Sequence, residues 1–529
     1  MSTQSPAVGP PAPAVVGGAP TEYANRGWIL AVMCLALVMV VAGVSMLANA
    51  LPSIAADLDA SQSSQQWIVD AYALTLAALL LPAGAVGDRF GRRGALIAGT
   101  AIFGIAAGLS ALAGSPDELI ALRACMGIGA ALLMPGTLST ITSVFPPEER
   151  AKAVGIWAGF AGAGGTLGIL ASGALLEEFS WGSIFVLTAA LAGVACLGMI
   201  LVVPTTRAEE RVSFDIRGSI VSAVGIGLLV LGIIEGPERG WTDPVTLIGL
   251  VGGAVFLASF VWLELRTDEP LLDPRLFGHR GFATGSASLF LQFFAMFGFF
   301  FVSLQFLQLV LGYSTLEAAL ALLPMSIVIL PIAAVAGTMS EKYGHRLVGG
   351  AGLAISGVGF ALFAMLGTGS GFWPFMLVTI VIGVGAALAM TPATNAIVAS
   401  LPRAKQGVAS AVNDTARELG AAFGVAVLGS AFNIGYRHHI DADLSRFPAD
   451  VAHQAREAPA IAVALSRQIP GGEVLATAAR EAFTTGMRYA VLVGAGLLVI
   501  GALFVWFRGA SRVEAVVEDD LDAVEVVAA

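Results

Sequence analysis

Five charged residues lie inside apolar stretches long enough to cross a membrane: Asp70, Arg123, Asp414, Arg417 and Glu418. A charge at the centre of a bilayer costs at least about 2.5–3.5 kcal/mol, so such groups should face the interior of a helix bundle. Burial also raises the pKa of a carboxylic acid, because the anion loses hydration. An acid placed this way can take a proton from one side of a membrane and release it when wetted from the other. The candidates for that role are Asp70 and Glu418, then Asp414. Asp414 and Glu418 are four residues apart and share one helix face. Two static pairings compete with it: Asp414 with Arg417, three residues on, and Asp70 with Arg123. The same carboxylates could instead meet a cationic solute. Gln292, in a Phe-rich stretch, is expected on the interior face, while most of its Phe neighbours are expected to face lipid.

The composition explains why so few charges matter. Of 529 residues, 57% are hydrophobic and only 12% charged, about half the charge of a soluble domain. Apolar runs between charges and Pro or Gly breaks give fourteen expected spans between residues 28 and 507. One, 281–311, is long enough for a strong tilt or a turn at the interface. The last two, 407–432 and 488–507, are separated by a long polar segment expected to carry amphipathic helix outside the membrane. The six short loops on one side hold fifteen Lys and Arg, among them Arg207, Arg211 and Arg403; the six short loops opposite hold one, Arg239. That bias puts the first side, and both termini, in the cytoplasm.

The net charge of −10 reflects an acidic tail and outer loops, with no basic patch for nucleic acid. Cys34, Cys125 and Cys196 have neither metal nor disulfide spacing and read as packing residues. No metal site and no Gly-rich phosphate loop followed by Lys and Ser or Thr is evident. Nothing points to an enzyme or to a bound cofactor.

A repeat organises the spans. Gly84-Ala-Val-Gly-Asp88-Arg89-Phe-Gly91-Arg92-Arg93 recurs as Gly337-Thr-Met-Ser-Glu341-Lys342-Tyr-Gly344-His345-Arg346, acid on acid and base on base. Gly127–Met134 likewise recurs at Gly383–Met390. The expected architecture is therefore an all-α membrane protein of fourteen transmembrane helices: two six-helix pseudo-repeat bundles plus two inserted helices. It divides into a disordered cytoplasmic tail (1–27), an N-terminal bundle (28–203), the inserted pair (204–280), a C-terminal bundle (281–507) that includes an extracytoplasmic loop (433–487), and an acidic cytoplasmic tail (508–529). Two such halves around a central site suit alternating access.

On these residues the chain resembles the major facilitator superfamily, and within it the fourteen-span drug:proton antiporters. The loop Gly84–Arg93 is similar to the superfamily's signature between spans 2 and 3. Gln66-Trp67-Ile68-Val69-Asp70-Ala71-Tyr72 and Ala409–Val412 with Asp414 and Glu418 resemble the multidrug members. The resemblance implies a substrate cavity near Trp67, Tyr72, Arg123, Gln292 and Arg417, and a gating role for Gly84, Asp88, Arg89, Gly91, Arg92 and Arg93. Physically, Asp88 at the end of span 2 could sit on the positive end of span 13 near Gly407, in one conformation only. In span 5, Gly155, Gly164, Gly168 and Gly173 fit the antiporter pattern of close packing. Two departures stand out. Gly43 replaces the acid the branch carries in span 1. Ile169 replaces a Pro of span 5, with Ser172 in place of a Gly.

The expected function is proton-driven export of amphiphilic or cationic drugs across a bacterial inner membrane, by a monomer whose partners are small-molecule substrate, protons and the lipid bilayer. The alternatives are export of an endogenous lipid or secondary metabolite, and, in another class, a receptor or passive pore.

Overall fold

The computed structural model describes residues 25–204, 214–401, 405–444, 446–469 and 472–509. Arg207, Arg211 and Arg403, nearly all of the N-terminal tail and the acidic tail from Glu514 to Glu525 lie outside the described residues. In chain order the helices are α1 (Arg26–Asp57), α2 (Gln62–Phe90), α3 (Arg92–Ser110), α4 (Pro116–Val144), α5 (Pro147–Glu178), α6 (Gly182–Val202), α7 (Ile216–Arg239), α8 (Pro244–Glu264), α9 (Arg280–Gln305), α10 (Thr315–Tyr343), α11 (His345–Ala364), α12 (Phe372–Ala399), α13 (Gln406–Leu444), α14 (Ala449–Glu457), α15 (Pro459–Ser466) and α16 (Gly472–Arg508). Fourteen of them, all but α14 and α15, are long and apolar enough to cross a membrane. No strand occurs among the described residues.

Local chemistry sets where these helices begin. Ser61, Ser115 and Ser314 each accept a hydrogen bond from a backbone N–H of the following first turn, which satisfies a donor that the helix itself cannot. Ser314 and Glu317 form a reciprocal capping box. The turns from α2 to α3 and from α10 to α11 pass through Gly91 (φ 110°) and Gly344 (φ 86°). Both lie in the region that a Cβ disfavours, so both copies of the decapeptide need glycine at that point.

Buried apolar side chains form two clusters. One is drawn from α1–α6, joined by Val398 of α12. The other is drawn mainly from α9–α16, joined by Ile226 and Val230 of α7, Phe260 of α8 and Ala77, Leu81 and Ala85 of α2. The halves meet along two helix pairs related by the repeat, α2 with α13 and α5 with α10. Contact at the end where α1 begins and α16 stops is close. A Cβ on Gly84 would lie 2.5 Å from the Gly407 carbonyl oxygen, and one on Gly337 would collide with the Ala151 carbonyl.

Four features differ from the sequence expectations. α13 continues to Leu444 and α16 begins at Gly472, well beyond the expected spans. The segment between them is packed, not merely solvated: Val451, Ala455 and Ala462 are buried, and the Tyr436 hydroxyl donates to the Ala455 carbonyl at 2.7 Å. α9 does end in a turn, as the length of the expected span allowed: it runs on through a π turn at Phe306–Val310. The Phe residues of this helix mostly do not face lipid. Phe293, Phe294, Phe299 and Phe306 are buried, and Phe299 and Phe306 stack on Phe375 at 6.3 and 6.2 Å. Residues in a row do point all round a helix, but α9 has neighbours nearly all round. Finally, Cys125 is exposed and Cys196 half-buried, so of the cysteines just Cys34 packs in the interior.

Candidate functional site at the junction of the two halves

α13 carries the densest set of polar groups in the interior. Asn413, Asp414 and Arg417 are buried, and Glu418 is half-buried one step on. Arg417 Nη1 pairs with Asp414 Oδ1 at 3.2 Å, and Asn413 Nδ2 donates to the same oxygen at 3.1 Å. The guanidinium of Arg417 also lies over two rings from opposite halves of the molecule, Trp157 of α5 at 5.2 Å and Phe293 of α9 at 4.6 Å. Aromatic faces stabilise a desolvated cation by about 2 kcal/mol, and the carboxylate neutralises it. The Trp157 indole is itself fixed by donation to Thr137 Oγ1 of α4 at 3.1 Å.

A second buried cation lies on α4. Arg123 of α4 is fully buried. Its Nε donates to the Ile68 carbonyl at 3.1 Å, and its guanidinium lies 4.4 Å from the centre of the Tyr72 ring. The Tyr72 hydroxyl donates to the Val40 carbonyl of α1 at 3.2 Å. Glu418 is within electrostatic reach of Tyr72, Arg417 and Asp414. Asp414, Arg417 and Glu418 thus form one group on α13, and Tyr72 stands between it and the second cation, Arg123. Several of their polar atoms have no hydrogen-bond partner: both terminal nitrogens of Arg123, Nε of Arg417 and Oδ2 of Asp414. A buried polar atom left this way costs about 1–3 kcal/mol, which suits a site that exchanges occupants more than a structural pair.

The structure thus brings together Tyr72, Arg123, Asp414, Arg417 and Glu418. Asp70 is half-buried two residues before Tyr72, and Trp67 is half-buried nearer the start of α2. The Asp414–Arg417 pair forms, whereas Arg123 turns to the Ile68 carbonyl and the Tyr72 ring in place of Asp70. Gln292 does not join the cluster. It is buried inside the second half, where its Oε1 accepts from Ser356 of α11 at 3.1 Å; Phe293, one residue on, points the other way to Arg417. Trp157 and Phe293 are members that sequence reasoning missed. A Trp near the middle of a Gly-rich span, away from the interfaces where Trp belongs, was the available signal for the first.

The loop between α2 and α3 forms a second polar centre. Asp88 is buried. Its carboxylate accepts from Gly407 N at 2.8 Å, Val408 N at 3.2 Å and Arg92 Nη2 at 3.0 Å. These N–H groups are the unpaired donors of the first turn of α13, where the helix dipole also favours an anion. Arg93 Nη2 donates to the Ile200 carbonyl near the end of α6 at 2.6 Å, and Arg89 is exposed beside Phe90.

In α5, a Cβ on Gly168 would lie 2.8 Å from Ala42 Cα, and one on Gly164 would lie 3.1 Å from Val41 Cβ. Gly155 abuts the Ala333 backbone. Gly173 is not at such a crossing, since only Leu316 comes near, at 3.7 Å. With Ile169 in place of Pro, α5 is unbroken from Pro147 to Glu178. Asn49 Nδ2 donates to Ser172 Oγ at 2.9 Å and to the Ile169 backbone carbonyl at 3.3 Å, so the hydroxyl that stands where the pattern has a Gly ties α1 to α5. Gly43 lies against Phe103 in the first core, a place with no partner for an acid. No group of three or more His, Cys, Asp or Glu able to hold a metal occurs among the described residues.

Residues 33–425 match the family model described as Major Facilitator Superfamily. The chain belongs to this superfamily. It is 34% identical over 497 residues to the multidrug efflux pump LfrA of Mycolicibacterium smegmatis, covering 92% of this chain and 97% of that one. It is 31% identical to the methyl viologen resistance protein SmvA of Salmonella typhimurium (91% and 98% covered). It is also 31% identical to the tetracenomycin C resistance and export protein of Streptomyces glaucescens (94% of each). Among solved structures, the proton:xylose symporter XylE superposes with a TM-score of 0.61 at 16% identity, covering 96% of this chain and all of that one. That likeness shows the shared fold. The chain is therefore a multi-pass membrane transporter of the superfamily, with efflux pumps for drugs and antibiotics among its relatives.

Proposed function

We propose that this transporter exports amphiphilic or cationic small molecules in exchange for protons, as a monomer in a bacterial cytoplasmic membrane with both termini in the cytoplasm. The observation that carries the reading is the acid–base cluster on α13, sealed between the halves and lined by Trp157, Phe293 and Tyr72. Apolar walls with a few charged groups suit an amphiphile. Glu418 and Asp414 can hold either a proton or the positive end of a substrate, and such competition is what couples the two fluxes. For a neutral substrate, one proton crossing about 100 mV supplies about 2.3 kcal/mol, enough to drive export against a gradient of roughly fiftyfold; for a monovalent cation the exchange is electroneutral and ΔpH drives it. The proton gradient then stands in place of any cofactor.

With the termini in the cytoplasm, the close contacts of Gly84 with Gly407 and of Gly337 with Ala151 seal the cytoplasmic end in this conformation. Asp88 on the first turn of α13 is then a latch for that state, and it must release when the site opens inward. A tetracenomycin C exporter among the relatives favours a second reading, in which the natural cargo is a secondary metabolite and drugs use the same path.

The test is efflux from proteoliposomes over a panel of amphiphilic cations and polyketide-like compounds, with and without ΔpH. Export should require ΔpH and be lost in Glu418→Gln, with Asp70→Asn separating a relay acid from one that is only nearby. Transport that ignores ΔpH in the wild-type protein would end the antiport reading.

A further inference from the structure

Away from the central cluster, two carboxyl groups meet where the inserted helices leave the membrane. Asp215 caps α7, its Oδ1 accepting from Gly218 N at 2.9 Å. Glu264 ends α8 and is only 2% exposed. One of its oxygens accepts from the Leu272 backbone N–H at 3.2 Å. The remaining oxygens, Asp215 Oδ2 and Glu264 Oε1, are both buried and have no ordinary donor. They face each other across Gly218: both meet the point that a Cβ there would occupy, which sets the two carboxyl groups side by side.

Two acceptor oxygens in contact cannot both be anionic without cost. Like charges disfavour double ionisation, and exclusion of water from Glu264 removes the screening that would tolerate it. Among the described residues no base relieves them. Arg266 is stacked on Trp262 at 4.2 Å, and Lys405 Nζ donates to the Pro270 carbonyl at 3.1 Å. Arg217 on α7 and Asp268 and Glu269 on the linker are exposed, and Arg89 of the adjoining α2 lies over Phe90. Neither Asp215 nor Glu264 forms an ion pair among the described residues.

We propose that Asp215 and Glu264 share one proton, forming a proton-binding site at the base of the inserted helix pair that is separate from the central cluster. The proton makes one carboxyl a donor to the other and leaves a single negative charge, held by Gly218 N and Leu272 N. Its consequence runs through the linker. Glu264 holds Leu272, Leu271 and Leu272 are buried in the second core, and Lys405 ties Pro270 to the residues just before Gly407, where Asp88 docks. Loss of the proton would set two anions against each other and loosen the linker beside that latch. This holds whether or not the central cluster couples protons to export.

The experiment uses the full chain in lipid nanodiscs. Infrared difference spectra of the wild-type protein near neutral pH should contain a protonated-carboxyl band that is lost in both Glu264→Gln and Asp215→Asn. Stability should report the same proton. Where only the native state holds it, the wild-type folded-to-unfolded ratio should fall about tenfold per pH unit relative to Glu264→Gln, whose amide donates without titrating. Asp215→Asn repeats the comparison should Glu264→Gln fail to insert. Identical spectra and parallel pH–stability curves for wild type and variants would overturn the proposal. So would stabilisation of the wild type by Mg2+ or Ca2+, but not of Asp215→Asn, because the bridging cation would then be a metal.

Discussion

The two copies of the decapeptide loop pack alike and bond differently. At the first, Gly84 meets the Gly407 backbone and Asp88 is buried on the N–H groups of Gly407 and Val408, with Arg92 closing the pair. At the second, Gly337 meets the Ala151 backbone just as closely, yet Glu341 stays exposed. Arg92 is matched there by His345, which is buried but has no acid paired with it among the described residues. Gly407 is the second residue of α13, so its N–H is free to bind a carboxylate, whereas Ala151, which meets Gly337, is the fifth residue of α5 and its N–H is spent within the helix. In place of a carboxylate on a helix end there is a cavity of about 160 Å³ lined by Arg150, Ser340, Glu341 and Asn395 among others. The repeat therefore preserves the steric contact between halves and concentrates the polar contact on one side. One strong, releasable bond is easier to break in a single step than two.

The largest effect expected is that of Asp88→Ala. It strands two buried backbone donors and removes the carboxylate that Arg92 pairs with, at about 3–5 kcal/mol against this conformation. Spin labels on α2 and α13 should then report a marked population with the end near Gly84 open; an unchanged distance distribution would remove the latch. Next come the glycines. Gly84→Ala puts a Cβ 2.5 Å from the Gly407 carbonyl oxygen and 2.8 Å from Ala411 Cβ, which should cost about 1–3 kcal/mol. Gly337→Ala should cost a similar amount, and unequal losses of thermal stability would show that the steric contacts are not equivalent after all. The smallest effect is that of Glu341→Gln, expected within about 0.5 kcal/mol and with transport rates close to wild type. A loss as large as that of Asp88→Ala would mean that the second copy also latches, and the asymmetry would be an accident of this conformation.

Much of this was legible in the chain. Fourteen spans followed from hydropathy and the asymmetry of basic loops, and the meeting of Asp88 with the start of α13 followed from counting spans and knowing which helix ends carry positive dipole. The pair of Asp414 with Arg417 followed from helical spacing. The partners of Arg417 did not. Trp157 and Phe293 come from α5 and α9, and no local pattern states which face of a glycine-rich or phenylalanine-rich helix turns to a given neighbour. For the same reason Gln292 was expected at the cavity and Phe299 at the lipid, when both lie in the second core. The packed segment from Val451 to Ala462 was hidden because its apolar residues are few and short-ranged, and their burial depends on where α13 and α16 happen to extend.

Sequence alone determined that this chain must live in a bilayer, how many times it crosses and that its halves repeat, because those properties depend on composition and periodicity along one dimension. Which buried charges touch, which copy of the loop carries the latch and which two carboxyls face each other over Gly218 were decided by the tertiary fold. Contacts between helices far apart in sequence depend on rotation and depth, and a shift of one residue turns a side chain by about 100° around its axis.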